Sequence, residues 1–194
     1  MEDDRILQHV QRSIKILKKT KYDPGKKLRE SGVLELATVI LYDTGIRLGK
    51  EDYWTISKTT GLSSLKCGDI IEKGDQFILK FIGKHKIENT YVLDRPEIVK
   101  WMRDIFAVRC GGGKRKEFRF LGTDIGVLKH RTLSRYIKEA TGSKPKYFRT
   151  LYANRRYNEL LRDRGISKEK ALSIVASELN HTVETLKKHY LTEK

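Results

Sequence analysis

The feature that most restricts the fold is a single change of hydrophobic period in the middle of the chain. Residues 76–93, QFILKFIGKHKIENTYVL, are rich in β-branched and aromatic residues and carry a turn at GKHK. This pattern predicts a β-hairpin or a three-stranded sheet. Before and after the segment, apolar residues recur at helical spacing. The sequence therefore predicts an α+β fold that is mainly helical, with one small antiparallel sheet.

Two helices are predicted before this sheet. In residues 4–20, apolar side chains recur at helical spacing with Lys and Arg on the other faces, and DPGKK at 23–27 breaks the pattern. Residues 33–45, VLELATVILYDTG, are apolar nearly all round and stop at Gly45. They predict a buried helix that ends at that glycine.

Further helices are predicted after the sheet. In residues 94–108, DRPEIVKWMRDIFAV, Pro96 suits a first helical turn, and Asp94 and Glu97 have the spacing of a capping box. The glycine-rich, charged stretch CGGGKRKEFRF follows as a loop. Three or four more helices are expected from there to the end of the chain.

The charge of the chain indicates a polyanionic partner. Its 41 Lys and Arg residues against 25 Asp and Glu leave a net charge of +16, spread over the whole sequence. Such a surface attracts polyanions, of which nucleic acid is the commonest. A basic protein that is merely soluble, or one that docks on anionic lipid, is the alternative, but no amphipathic or lipidation signal accompanies the charge.

Compartment and redox state can also be predicted. No apolar run approaches the roughly 20 residues of a membrane span, and no signal peptide opens the chain. We therefore expect a soluble intracellular protein without a membrane partner. Cys67 and Cys110 are too few and too isolated for a disulfide framework or a zinc site. Both are predicted to be reduced, structural thiols.

Five residues in separate segments suit phosphate chemistry when they are taken together. Arg47 follows the buried helix between two glycines that allow a ligand close to the backbone, and Lys84 lies at the predicted turn. Arg149 lies in the basic helix KPKYFRTLYANRRYNELL, His181 in LNHT, and Tyr190 in KKHYL. Alone, each has an ordinary interpretation, because basic helix faces and exposed lysines are usually just solvated.

In this order, the five residues resemble the catalytic set of type IB DNA topoisomerases. The likeness is greatest to the small poxvirus-like enzymes, from about residue 33 to the end, and TTGLSSLKCGDI at 59–70 is similar to that family's segment before its lysine hairpin. The resemblance implies a catalytic domain over 33–194, preceded by a basic helix and linker over 1–32. It also implies relaxation of supercoiled DNA by transient single-strand cleavage, without ATP, metal or cofactor.

The resemblance assigns a role to each of these residues. Tyr190 would be the nucleophile that forms a 3′-phosphotyrosyl link. Arg47 and Arg149 would offer planar, permanently charged forks to the non-bridging oxygens of the transition state, and His181 would donate a further hydrogen bond. Lys84 would act as general acid on the 5′ leaving oxygen.

The implied partner is double-stranded DNA, bound by a monomer in the cytoplasm, nucleoid, nucleus or virion. The family carries an additional N-terminal lobe that closes around duplex DNA, and only some 32 residues precede the matched region here. We therefore expect weaker, salt-sensitive binding or a different DNA-holding face. The positions expected to contact DNA, the first five by the resemblance and the last three as a basic loop, are Lys50, Tyr53, Lys86, Lys146, Asn154, Lys114, Arg115 and Lys116.

Three alternative functions are weighed against this one. Tyrosine recombinases use a similar residue set, but they commonly have His where this chain has Lys146 and tend to continue past the tyrosine, whereas four residues follow Tyr190 here. A non-catalytic DNA-binding module would not depend on Tyr190. A metal-dependent nuclease is least favoured, because no paired carboxylates or His clusters have ligand spacing.

Overall fold

The fold is seen in a computed structural model of the chain, which describes residues 2–49, 59–163 and 165–192. Within these residues the α+β prediction is confirmed, since the fold consists of helices and one three-stranded antiparallel sheet. The helices are α1 (Glu2–Lys19), α2 (Val33–Thr44), α3 (Pro96–Cys110), α4 (His130–Thr141), α5 (Lys146–Arg162), α6 (Lys168–Glu178) and α7 (Val183–His189). The strands are β1 (Ile70–Lys73), β2 (Gln76–Ile82) and β3 (Glu88–Leu93).

Helix α2 is the centre of the main core. Every residue from Val33 to Leu41 is buried, and α2 packs against α1, α3, α4, α5 and β3. The helix ends at Gly45, as predicted, where the backbone turns left-handed with φ of 60° and donates to the Leu41 carbonyl. A Cβ at Gly45 would lie 2.9 Å from the Tyr152 ring, so only glycine fits this turn.

Helix α1 belongs to the same core as α2. Its buried face carries Ile6, Val10 and Leu17, each at most 2% exposed, and the Trp101 indole of α3 donates to the Leu17 carbonyl. Burying such side chains contributes roughly 1.5–3 kcal/mol each. The division of the chain at residue 32 stays a prediction.

The sheet presents the hairpin turn that the sequence predicted at GKHK. Strand β2 alternates between buried and more exposed residues, and Leu79 pairs with Tyr91 of β3. Between the two strands, a short 3₁₀ turn covers Lys84–Lys86, and His85 and Lys86 adopt positive φ values of 64° and 59°. This turn brings Lys84 to the tip of the hairpin.

The start of α3 departs from the prediction. Pro96 occupies the first turn, as expected, but Arg95 is the N-cap residue and its side chain makes no capping hydrogen bond. The capping box of Asp94 and Glu97 is therefore wrong. The Glu97 carboxylate instead forms an ion pair with Lys18 of α1, at 3.2 Å, a contact between helices that local sequence spacing does not reveal.

The prediction of reduced thiols is also wrong. Cys67 and Cys110 form a disulfide whose Cα atoms lie 5.4 Å apart across a sequence separation of 43. Both residues are buried. The pairing arises because the loop after α3 returns beside the turn that precedes β1, where Cys67 N–H donates to Phe118 O and Gly68 N–H to Lys116 O.

Opening this disulfide should destabilise the protein. A cross-link over a loop of this size is expected to contribute about 2–4 kcal/mol, mainly by restricting the unfolded chain. We expect that loss in the free energy of unfolding, measured by urea denaturation, for dithiothreitol-treated protein and for the Cys67→Ala/Cys110→Ala double variant. Dithiothreitol should not affect the double variant, and two free thiols in denatured, unreduced protein would contradict the pairing.

Candidate active site

The predicted catalytic residues meet at one cleft of about 590 Å³. The segment after α2, the hairpin tip, α4, α5 and the residue after α7 contribute to its walls. Among the described lining residues none carries a carboxylate, so the cleft has a positive potential that suits an anion. Its polar and charged lining residues are Arg47, Thr59, Thr60, Lys84, His130, Ser134, Lys138, Lys144, Lys146, Arg149 and Tyr190.

Arg149 is the most deeply buried cation of the cleft. Its residue is 4% exposed. Its guanidinium donates to the Gly45 carbonyl and, at 2.8 Å, to the Leu179 carbonyl, while its Nε has no partner among the described residues. No carboxylate forms an ion pair with it in the described part of the chain. A buried charge whose hydrogen-bond partners are neutral groups is well suited to accept an anionic ligand.

Arg47 lies beside it, two residues beyond the Gly45 turn. It is partly buried, and its Nη2 is 3.2 Å from Nε2 of His181. Burial, and then the positive charge of Arg149, lower the pKa of the Arg47 guanidinium from its ordinary value. Two like charges in one cleft raise its electrostatic energy, and a phosphate between them would lower it.

His181 lies between the two guanidinium groups. Its Nε2 is also 3.3 Å from Nη2 of Arg149. Because guanidinium nitrogens only donate, Nε2 accepts, and the neutral ring carries its proton on Nδ1. Burial, followed by the charges of Arg149 and Arg47, lowers the pKa of His181 to about 4. The imidazole is therefore neutral at physiological pH.

Tyr190 lies directly after α7 and is only 6% exposed. Its ring centroid is 4.8 Å from that of His181. The Lys146 ammonium lies 5.6 Å and the Arg149 guanidinium carbon 5.8 Å from the same ring. The phenol is thus held among the cationic side chains of the cleft.

Lys84 reaches the cleft from the opposite wall. It is exposed at the hairpin tip, lines the cleft, and is one of the charges that lower the His181 pKa. The structure therefore brings together all five residues that the resemblance singled out: Arg47, Lys84, Arg149, His181 and Tyr190.

The residues predicted to contact DNA are distributed differently. Lys146 lines the cleft, and Lys86 is exposed on the hairpin tip, two residues from Lys84. The Asn154 side chain is bonded within the protein, to the Tyr190 carbonyl and to Thr192. Lys50 and Tyr53 lie outside the described residues.

The basic loop after α3 does not belong to the cleft. Lys114, Arg115 and Lys116 are exposed, and the described lining of the cleft includes none of them. The guanidinium of Arg115 lies 5.5 Å from the ring centroid of Phe118. A DNA contact by this loop stays a prediction and would occur on a separate surface.

One wall of the cleft escaped the sequence analysis. His130, Ser134 and Lys138 of α4 line it, followed by Lys144. The signal was available as polar residues spaced four apart on one helix face. It was passed over because these residues alternate with the buried Leu133 and Ile137 and lie outside the motifs that carried the resemblance.

Two solved structures share this fold. The XerH site-specific recombinase bound to difH substrate, as a pre-cleavage complex, matches with a TM-score of 0.58 at 15% identity. Its post-cleavage complex with palindromic difH substrate matches at 0.59 and 14%. Each match covers 92% of this chain but only 47% and 46% of those chains, so this chain spans about half their length. No curated protein matches the sequence significantly.

The fold is therefore the one that these recombinase structures have. Residues 5–192 match the family model of the catalytic core of eukaryotic DNA topoisomerase I, and the chain belongs to this family. The resemblance to type IB topoisomerases is confirmed, and the matched region includes α1.

The low pKa of His181 should appear in the pH dependence of stability. Above about pH 7 the His181 imidazole is unprotonated in both the folded and the unfolded protein. Below about pH 6.5, the ordinary pKa of histidine, the imidazole is protonated in the unfolded chain but not in the folded one. Stability is therefore lost as pH falls from there towards about 4. The His181→Gln variant keeps an acceptor but does not titrate, so it should lack this loss.

The measurement is urea unfolding of both proteins at several pH values. Their difference in free energy of unfolding should be constant above about pH 7 and move in favour of His181→Gln at lower pH, by at most about 1.4 kcal/mol per pH unit. A difference that does not vary with pH would show that His181 is not held neutral.

Proposed function

We propose that this chain relaxes supercoiled double-stranded DNA as a type IB topoisomerase, through transient cleavage and religation of one strand. The observation that carries the proposal is the buried Tyr190 beside His181 and two arginines, in a cleft whose described lining residues include no carboxylate. Membership of the topoisomerase I family supports it.

Phosphate binding is the first step. The guanidinium N–H groups of Arg47 and Arg149 that face His181 Nε2 can turn to the non-bridging oxygens of a phosphodiester. The extra negative charge of the pentacoordinate transition state lies on these oxygens, so fixed cationic donors stabilise it more than the ground state. Once the arginines turn away, Nε2 of His181 no longer accepts from them, and the neutral imidazole can carry its proton on Nε2 and donate it to one of these oxygens.

Cleavage follows by in-line displacement. The Tyr190 phenolic oxygen bonds to phosphorus and loses its proton to solvent, while the bond from phosphorus to the 5′ oxygen breaks. Lys84 donates a proton to that oxygen, giving a 5′-hydroxyl end. The 3′-phosphotyrosine keeps the phosphodiester energy, so religation by the reverse step needs neither ATP nor a metal.

The remaining features of the proposal concern the partner. The net charge of +16 and the Lys-rich cleft wall support binding to duplex DNA by phosphate contacts. All five reacting residues come from one chain, which supports a monomer as the active form. In the residues that the structure describes, no helix is long and apolar enough to span a membrane, and no group of three or more potential ligands is placed to hold a metal.

A tyrosine recombinase is the second candidate, favoured by the fold shared with XerH. The two functions differ in their products. A topoisomerase rejoins the strand it cut and changes only linking number, whereas a recombinase joins strands from two duplexes. Plasmid relaxation without recombinant product supports the first, and strand exchange between labelled duplexes would support the second.

We expect relaxation of a supercoiled plasmid in EDTA without ATP, with Tyr190 as the nucleophile. Tyr190→Phe should lose all covalent adduct trapped by detergent but still bind DNA, because only the attacking oxygen is removed. Arg47→Ala should slow cleavage by about 10²- to 10³-fold, as for loss of one transition-state donor.

The matched control is Tyr157→Phe, which removes the hydroxyl of a partly buried tyrosine on α5 and should leave relaxation unchanged. A strict requirement for Mg²⁺ would refute the metal-free mechanism. An adduct formed by Tyr190→Phe would transfer the nucleophilic role to another residue.

The role of Lys84 can be separated from phosphate binding. A 5′-bridging sulfur is a leaving group that hardly needs protonation. Lys84→Ala should therefore cleave a 5′-phosphorothiolate substrate at a nearly normal rate and ordinary DNA slowly. Lys86→Ala removes a charge from the same turn and should affect both substrates alike. Equal slowing of both substrates by Lys84→Ala would make Lys84 a phosphate-binding residue instead.

A further inference from the structure

We propose that Asn154 is a positioning residue, which holds the backbone of Tyr190 in the place required for attack. This inference rests on the function proposed above. The resemblance gave Asn154 a DNA contact, but its side chain is engaged by the segment that carries the nucleophile.

The amide of Asn154 makes four hydrogen bonds. Its Nδ2 donates to the carbonyl oxygens of Thr150 and Tyr190, both at 2.8 Å. Its Oδ1 accepts from the Thr192 backbone N–H at 3.0 Å and from the Thr192 hydroxyl at 2.9 Å. A carboxamide has two donor hydrogens and one acceptor oxygen with two lone pairs, so its capacity is filled. A DNA phosphate could be bound only by giving up a bond to this segment.

The partners fix the orientation of the amide. The Tyr190 carbonyl can only accept and the Thr192 N–H can only donate, so Nδ2 must face the first and Oδ1 the second. A carboxylate at this position would place an oxygen against the Tyr190 carbonyl, and alanine would satisfy neither group. The contact therefore requires an amide, and a side chain of similar size without one does not satisfy both groups.

The backbone at Tyr190 needs such a partner because the helix has just ended. Helix α7 is seven residues long, and the Tyr190 N–H still donates to the Leu186 carbonyl at 3.0 Å. The Tyr190 carbonyl is one of the last in the helix, which have no intrahelical donor, and Asn154 supplies one. The backbone is thus held on both sides of the Cα, and the phenol moves only through its side-chain torsions.

Asn154 also fixes the position of Tyr190 relative to Arg149, the guanidinium that would bind the phosphate. It follows Arg149 by five residues on α5, about 7.5 Å along the helix axis. Arg149 is fixed by its bonds to the Gly45 and Leu179 carbonyls. One helix therefore holds both the guanidinium that would bind the phosphate and the backbone that carries the attacking oxygen. A displacement of about 1 Å between them can cost about 10²-fold in rate.

The test compares cleavage rate with DNA affinity. With saturating enzyme on a suicide duplex substrate, Asn154→Ala should form the covalent adduct about 10- to 100-fold more slowly. DNA affinity, measured in a Tyr190→Phe background, should be nearly unchanged. At neutral pH, Asn154→Asp should form the adduct at least as slowly as Asn154→Ala, although aspartate has nearly the same shape as asparagine. Asn158→Asp introduces the same charge at an exposed position one turn further along α5 and should react normally.

Two further readouts test the anchor, the first of which would not respond to a merely structural role. Acidification should raise the cleavage rate of Asn154→Asp relative to wild type, because a protonated carboxyl group again donates to the Tyr190 carbonyl, and it should not rescue Asn154→Ala. Hydrogen exchange of the Thr192 amide should be faster in Asn154→Ala than in wild type and unchanged in Asn158→Asp. This second readout needs no DNA.

The possible failures can be distinguished. Weaker DNA binding by Asn154→Ala, with a normal rate at saturation, would make Asn154 a DNA contact and overturn the proposal. Unchanged exchange at Thr192 would overturn it as well. If wild-type protein forms no adduct at all, the proposed function itself fails, and so does the role of Asn154 in positioning Tyr190 for attack.

Discussion

The arrangement of the site depends on one buried cation that has no acidic partner among the described residues. Arg149 satisfies its hydrogen bonds with the carbonyls of Gly45 and Leu179, which lie at the C-terminal ends of α2 and α6. Carbonyls at helix C-termini lack intrahelical donors, and the helix dipole is negative there. They stabilise the guanidinium without neutralising it. A carboxylate would have stabilised it too, but would compete with the phosphate.

The hydrogen bonds of Arg149 to these two carbonyls both stabilise the fold and position the site residues. The same two hydrogen bonds join α5 to the ends of α2 and α6, and each of those ends leads directly to another site residue, Arg47 in one case and His181 in the other. Misfolding at either helix end would therefore disturb both a guanidinium and the imidazole. The left-handed turn at Gly45 is part of this arrangement, because any side chain there would collide with Tyr152 and Leu179.

What the sequence could predict was local. The hairpin turn and the helix stop at Gly45 follow from short patterns, and the five residues that meet at the cleft follow from a motif matched in order. The disulfide between Cys67 and Cys110 could not be predicted, because it depends on a loop returning over a separation of 43 residues. The capping box at Asp94 failed because Glu97 pairs with Lys18 on another helix. The role proposed for Asn154 was hidden for the same reason, since Tyr190 and Thr192, which it contacts, lie more than 30 residues away.

Having Arg149 and Asn154 on one helix has a consequence for motion. A protein that admits and releases a long duplex must let parts of its surface move, and a site assembled from independently moving segments would lose its alignment each time. In the proposed reaction, α5 fixes the distance between the phosphate-binding guanidinium of Arg149 and the backbone of Tyr190. A movement of the hairpin that carries Lys84 would leave this distance unchanged, because the hairpin holds neither of these two groups.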